Sequence, residues 1–302
     1  MSISSLEDSH IDQSTLLQPA MKAWHIYLQN QDRSQYTIKA FEGDLNLLIK
    51  FLPPDRAIGD LTTNDLNRFL KWVKCGRGKN IPCSPKSLSR RITSLKSFFR
   101  WLYQNGRIPI NPAEKIIQHT VISPIPTVLT ENEQILALAT AQKYLEKAKQ
   151  DARPFTLLKL LLETGIKKGE CLNIKLPHID FGKIDEPFIF IRYPEVKDRN
   201  KERKILITRA WIKIYKTYLE QYKPIDTVFP WSPRRLEYIL EDISNNAELK
   251  KHLSFSMCRW TCALNDWQKG IERDIIRQKL GISKIQWREV RMKLQKISSG
   301  NI

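Results

Sequence analysis

No apolar run in this 302-residue sequence approaches the roughly 20 residues that a membrane-crossing helix needs. The stretch from Met1 to Asp12 lacks the basic region and apolar core of a secretory signal, so cytoplasmic residence is the expectation. There is no C-x-x-C pair among the five cysteines (Cys75, Cys83, Cys171, Cys258 and Cys262), and His252 is the only histidine near the Cys258–Cys262 pair. That argues against a zinc site and a disulfide scaffold, and makes free buried thiols the better reading. No internal repeat or low-complexity tract is visible. Two further absences are local: residues 68–119 hold a single acidic residue, Glu114, and no tyrosine follows Tyr238.

What is there is positive charge, unevenly spread. The formal net charge is +18, yet residues 1–67 carry nine acidic and only five basic residues. The block 68–119 sets twelve Lys/Arg against its one acid, and 271–302 sets eight against three. Basic blocks inside sequence of ordinary globular composition, 41% hydrophobic and 27% charged, are the electrostatic footprint of a polyanion binder. The length suffices for two domains, each with its own core.

The pattern along the chain is mainly helical. Ser34 caps an apolar stripe of Ile38, Phe41, Leu45, Leu48, Ile49 and Leu52 that Pro53-Pro54 ends. A shorter helix follows Thr62, with Leu66, Phe69, Leu70 and Val73 inward, and then a basic loop from Cys75 to Pro82. The clearest helix has Ser84 as N-cap, Pro85 at its first position and Asn105-Gly106 as its stop. Leu88, Ile92, Leu95, Phe99 and Leu102 form its packing stripe. Lys86, Arg90, Lys96 and Arg100 fall mostly off that stripe, with Arg91 at its edge, which suits a phosphate backbone as partner; a merely solvated basic face is the alternative.

The prolines at 112, 124 and 126 mark a linker, with a boundary near residue 123. The expected divisions are a flexible N-terminus over 1–15, a helical domain over 16–122 and a second domain over 123–302. In the second, Thr130 and Glu133 make a capping box, and helices are expected near 154–164 and 168–176. Phe188–Tyr193 and Lys204–Thr208 read as strands flanking the charged turn Glu195–Arg203. Helices follow from Arg209 to Tyr222 and from Pro233 onward.

Two segments, Thr164-Gly165-Ile166-Lys167 with Glu170 three residues on, and Ser256-Met257-Cys258-Arg259, resemble active-site motifs of the tyrosine recombinases, the phage-integrase family. Lys86–Gly106 is similar to the last helix of that family's core-binding domain, and Leu280-Gly281-Ile282-Ser283 to its L-G-H-S element. The resemblance spans roughly residues 16–296. It implies a SAM-like helical core-binding domain followed by a mostly α catalytic-type domain with a small β-hairpin, the two closing as a clamp on duplex DNA without metal or cofactor.

In that family two arginines and a lysine stabilise the scissile phosphate, histidine-type residues move protons and a tyrosine attacks. Here Lys167 replaces the first arginine, keeping the charge but not the bidentate fork. Lys197 best matches the lysine, with Lys201 also open. Arg259 is kept, in contact with phosphate or paired internally with Glu170 or another core carboxylate. Ser256 stands for a histidine, Ile282 for a histidine or tryptophan, and Arg291 where the tyrosine is expected. The resemblance therefore implies a DNA-binding relative unable to cleave, regulatory, architectural or accessory in recombination, with itself or an active homologue as further partner and the nucleoid as its place. Its DNA contacts would be Lys86, Arg90, Arg91, Lys96, Arg100, Lys167, Lys197, Lys201 and Arg259. The alternatives are a strand transferase using Tyr238 or Ser256 as nucleophile, and a protein-interaction subunit of a recombinase assembly.

Overall fold

The computed structural model describes residues 11–78, 81–121, 123–146, 150–182 and 186–300. It divides into two compact units, Met1–Ser123 and Pro124–Ile302. Both are mainly α, as the periodicities require.

Among the described residues of the first unit the α-helices are α1 (Leu17–Asn30), α2 (Gln35–Phe51), α3 (Thr63–Lys74) and α4 (Pro85–Gln104). Ser34, Thr62 and Ser84 each accept a backbone N–H of the first turn, satisfying one of the orphan donors there. The helix α1 was not expected. Its preceding residue, Leu16, offers no side-chain cap, and its end turns carry no charge that complements the dipole. Packing holds it instead: Trp24 is fully buried, stacks on Phe41 at 5.6 Å and meets the edge of Phe98 at 5.3 Å. Residues 11–15, read above as part of a flexible terminus, are tied down. Ile11 is buried, Gly59 N–H donates to the Gln13 carbonyl and Ile58 N–H to that of Thr15. The rest of that expected segment, 1–10, lies outside the described residues.

The second unit opens with α5 (Glu131–Lys143), where Thr130 and Glu133 form the reciprocal capping box. Then come α6 (Arg153–Thr164), α7 (Lys168–Leu172), strands β1 (Ile179–Asp180), β2 (Phe188–Ile191) and β3 (Arg203–Leu206), and α8 (Arg209–Tyr222). Last are α9 (Pro233–Asn246), α10 (Phe255–Gln268), α11 (Arg273–Leu280) and α12 (Lys284–Ser298). The sheet is antiparallel in the order β1-β2-β3, with Ile189 opposite Ile205 and Ile191 opposite Arg203. The helix expected over 168–176 stops at Leu172, because the backbone beyond it pairs elsewhere. Val228 N–H donates to the Ile174 carbonyl and Leu176 N–H to that of Asp226.

The core of this unit forms around α6 and the stacked Trp211 and Tyr215 of α8, whose rings lie 4.7 Å apart. A smaller cluster docks the C-terminal helices: Leu294 and Ile297 of α12 bury against Leu264, Ile276 and Leu280, with Val290 partly covered. Ile285 stays 77% exposed, so α12 rests on its own unit through one side only.

Candidate nucleic-acid interface

The C-terminal end of α6 begins the site. Gly165 turns the chain there with φ of 60°, and a Cβ at this position would crowd Cys262 Sγ at 3.2 Å. The turn presents Lys167 at the head of α7, where its backbone N–H donates to Glu170 Oε2 at 2.8 Å. Glu170 is buried, and its carboxylate is the hub of the site. Arg203 grips it in a two-pronged bond, Nη1 to Oε1 at 3.0 Å and Nη2 to Oε2 at 2.9 Å. The Tyr193 hydroxyl donates to the same carboxylate.

Burial alone would raise the Glu170 carboxyl. The hydrogen bonds and charge of Arg203, with the Lys167 N–H and the Tyr193 hydroxyl, outweigh it and hold the group at about 2. Reciprocally, burial and the Glu170 charge push the Tyr193 phenol up.

Three cations then converge on one helix end. Arg203 Nε donates to the Lys279 carbonyl at 2.7 Å, and Arg259 Nη2 to that of Leu280 at 2.5 Å. Lys167 Nζ lies 3.5 Å from the Gly281 carbonyl. These are consecutive carbonyls at the C-terminus of α11, the negative end of its dipole. Gly281 has φ of 57°, and a Cβ there would lie 2.5 Å from Arg203 Nη1, so the close approach needs glycine. Arg259 also donates through Nη1 to the Gly165 carbonyl at 2.5 Å. Glu170 accepts from Arg203 rather than from Arg259, so the internal partners of Arg259 are backbone carbonyls.

The donor inventory separates the three cations. Arg203 commits Nε, Nη1 and Nη2 to protein acceptors and is 8% exposed in its side chain, which makes it a brace. Arg259 directs one N–H from each terminal nitrogen to a carbonyl, and a guanidinium carries five N–H groups in all. Lys167 keeps 42% of its side chain exposed. Burial, then the nearby Arg259, Arg203 and Lys201, lower its ammonium from the ordinary lysine value, with Glu170 opposing. Lys167, Arg203 and Arg259 against the single carboxylate of Glu170 leave this cluster with an excess of positive charge.

Sequence reasoning missed Arg203 and Tyr193. The signal was available: with Ile205 inward, strand alternation turns Arg203 inward too, and a buried guanidinium requires a carboxylate. Beginning the second strand at Lys204 hid it in the turn. Of the two turn lysines, Lys197 is exposed and 2.5 Å from Glu195, whereas Lys201 pairs with Asp198 and lies 5.9 Å from the Tyr193 ring centre. It is the charge of Lys201 that reaches Lys167. Ser256 is exposed in the first turn of α10, three residues before Arg259. Ile282 packs partly against the α10–α12 cluster, and Arg291 is exposed on α12.

In the first unit the cations of α4 divide. Asp44 of α2, 1% exposed, receives Arg90 Nη1 at 2.6 Å and Nη2 at 2.9 Å, and the Ser94 hydroxyl at 2.7 Å. Arg91 Nε lies 3.4 Å from the same carboxylate, and its Nη1 meets Cys83 Sγ at 2.6 Å. Arg90 and Arg91 therefore pin α4 to α2 through a buried aspartate; Arg90 keeps 40% of its side chain exposed and Arg91 only 13%. Lys86 and Arg100 are exposed, and Lys96 is half-buried. Lys96 and Arg100 line a recess of about 240 Å³ with Tyr103 and Gln104. Among the described residues no His/Cys/Asp/Glu group could hold a metal ion, and no helix is long and apolar enough to cross a membrane.

Residues 21–106 match the model of the phage integrase N-terminal SAM-like domain, and residues 128–289 that of the phage integrase family. The chain is 25% identical over 253 residues to a tyrosine recombinase of Thermosipho africanus, covering 82% of this chain and 85% of the other. Tyrosine recombinase XerC of Oceanobacillus iheyensis is 26% identical over 302 residues, covering 91% and 95%. In fold it resembles a lambda integrase dimer bound to a COC' core site, with a TM-score of 0.72 at 16% identity, covering 96% of this chain and 80% of that one. XerH recombinase bound to its difH substrate gives 0.68 at 18% identity, covering 99% and 84%.

Proposed function

This chain belongs to the phage integrase family of tyrosine recombinases, and from that premise we propose that it binds duplex DNA and holds a backbone phosphate without cutting it. The observation that carries this reading is the convergence of Lys167, Arg203 and Arg259 on the Glu170 carboxylate and the 279–281 carbonyls. Arg203 neutralises Glu170 and fixes the turn. Lys167 and the remaining N–H groups of Arg259 meet the phosphate oxygens. A pre-set cluster of this kind stabilises charge on a phosphodiester at little reorganisation cost.

The groups for bond breaking are replaced. Ser256 is no base near neutral pH, Ile282 carries no proton to give, and Arg291 is a cation where a nucleophile is expected. The task is then regulatory, architectural or accessory to DNA recombination, at the nucleoid, alone or beside an active homologue. In the first unit, Lys86, Lys96 and Arg100 supply further backbone contacts.

The test is duplex binding by fluorescence anisotropy across a salt series. Wild type should bind with a steep salt dependence, and Lys167→Gln should weaken binding and flatten the slope of log K against log salt by about one. A wild-type protein that binds no duplex at low salt would refute the reading.

One observation favours a second reading, strand transfer from Tyr238. This phenol is 40% exposed, accepts Arg234 Nε at 2.6 Å, and sits beside Glu237, which holds Lys168 at 2.6 Å. A protein–DNA covalent adduct lost in Tyr238→Phe would establish it.

A further inference from the structure

The outward face of the β-sheet has a composition that duplex binding at the Lys167 cluster does not use. Ile189, Ile191 and Ile205 point into the core, so alternation turns Phe188, Phe190, Lys204 and Leu206 outward. Register places Phe188 opposite Leu206 and Phe190 opposite Lys204. Both phenylalanines are half-buried, and Leu206 is 59% exposed. A cation stands over each ring: Lys204 Nζ lies 4.5 Å from the Phe188 centre and Arg192 Cζ 4.4 Å from that of Phe190. Arg192 and Lys204 are both exposed. Two acids border this face: Asp180, opposite Phe188 on β1, and Glu202, two residues before Lys204, whose carboxylate accepts the Tyr193 N–H at 3.0 Å.

Aromatic rings on a strand, spaced two residues and about 7 Å apart and interleaved with exposed cations, match the two needs of a single-stranded nucleic acid. Bases stack on ring faces, whatever their sequence, and the cations meet the phosphates between them. A duplex cannot use such rings, because its bases are already stacked on one another. An acidic peptide would use the charges but gain little from the rings.

We propose that the outer face of β2 and β3 is a single-strand binding platform, with Phe188 and Phe190 as stacking residues and Arg192 and Lys204 as phosphate contacts. It is separate from the Lys167 site and stands whether or not that site holds duplex.

The experiment uses the full chain and fluorescein-labelled oligonucleotides. A 15-mer of thymidine should bind about tenfold more tightly than an abasic 15-mer of the same charge. The double variant Phe188→Leu/Phe190→Leu keeps apolar cover and both cations, and its thermal melt controls for folding. It should lose that tenfold preference while its duplex affinity stays within about twofold of wild type. Lys204→Gln should weaken both single strands. Equal binding of thymidine and abasic strands by wild type, or an unchanged preference in the leucine variant, overturns the proposal. So does a parallel loss of duplex affinity in that variant, which would make the face part of a general binding surface.

Discussion

Replacing Arg203 with methionine keeps most of the aliphatic stem but strips the two-pronged bond from a glutamate whose side chain is 2% exposed. Two routes give the size of the effect. Removing one partner of a buried ion pair costs about 3–5 kcal/mol, because the other charge stays behind. Glu170 is also held, despite burial, at about 2 against an ordinary 4.5 by Arg203 first, then by the Lys167 N–H and the Tyr193 hydroxyl. At about 1.4 kcal/mol per tenfold that shift corresponds to ~3 kcal/mol shared among these groups, with Arg203 the largest contributor. Arg203→Met should therefore destabilise the C-terminal unit by ~3 kcal/mol at pH 7, measured by urea unfolding, with hydrogen exchange of the β2–β3 amides assigning the transition to that unit. The sign with pH follows from the depressed carboxyl. Its stabilisation is complete above about 4.5 and is lost as pH falls toward about 2, so wild type and variant should converge over that window. A loss below about 1 kcal/mol at pH 7, or a difference that grows on acidification, would refute the hub role of Glu170.

Asp44→Ala should destabilise the first unit by about 1–3 kcal/mol, since Arg91, 13% exposed, and the Ser94 hydroxyl lose a buried acceptor while Arg90, 40% exposed, can turn to solvent; urea unfolding measures it. For the same reason Arg90→Glu/Arg91→Glu should unfold this unit rather than report on DNA contact, and charge reversal at Lys86, Lys96 and Arg100 is the informative variant, expected to keep the circular-dichroism spectrum and lower duplex affinity more than tenfold. Cys171, Cys258 and Cys262 are buried, and burial pushes the Cys258 thiol up to about 12 and that of Cys262 to about 11. In native protein an aromatic disulfide reagent should titrate Cys75 rapidly and these three only after unfolding.

Helices with a side-chain cap and a clean stripe were legible in sequence, as Ser84 to Asn105 and the Thr130–Glu133 box illustrate. Such signals are local. The helix α1 lacks a cap signal and depends on Trp24 finding Phe41 and Phe98, which no window of sequence contains. The family positions Lys167 and Arg259 were legible because their motifs are contiguous. Arg203 was not, because its meaning comes from Glu170, 33 residues earlier, and from a strand register set by Ile189 and Ile205. The division of the α4 cations was hidden for a related reason. Helical periodicity shows which side of α4 a residue occupies, but not that Asp44, 46 residues before Arg90, waits on that side.

The most direct test of the central claim is a nicked suicide duplex, in which cleavage traps a protein–DNA linkage, scored on denaturing gels beside anisotropy of the same complex. Binding should be saturable and salt-sensitive, with no covalent adduct at any pH from about 6 to about 9. An adduct that forms in wild type would contradict it, and its loss in Tyr238→Phe or Ser256→Ala would identify the nucleophile.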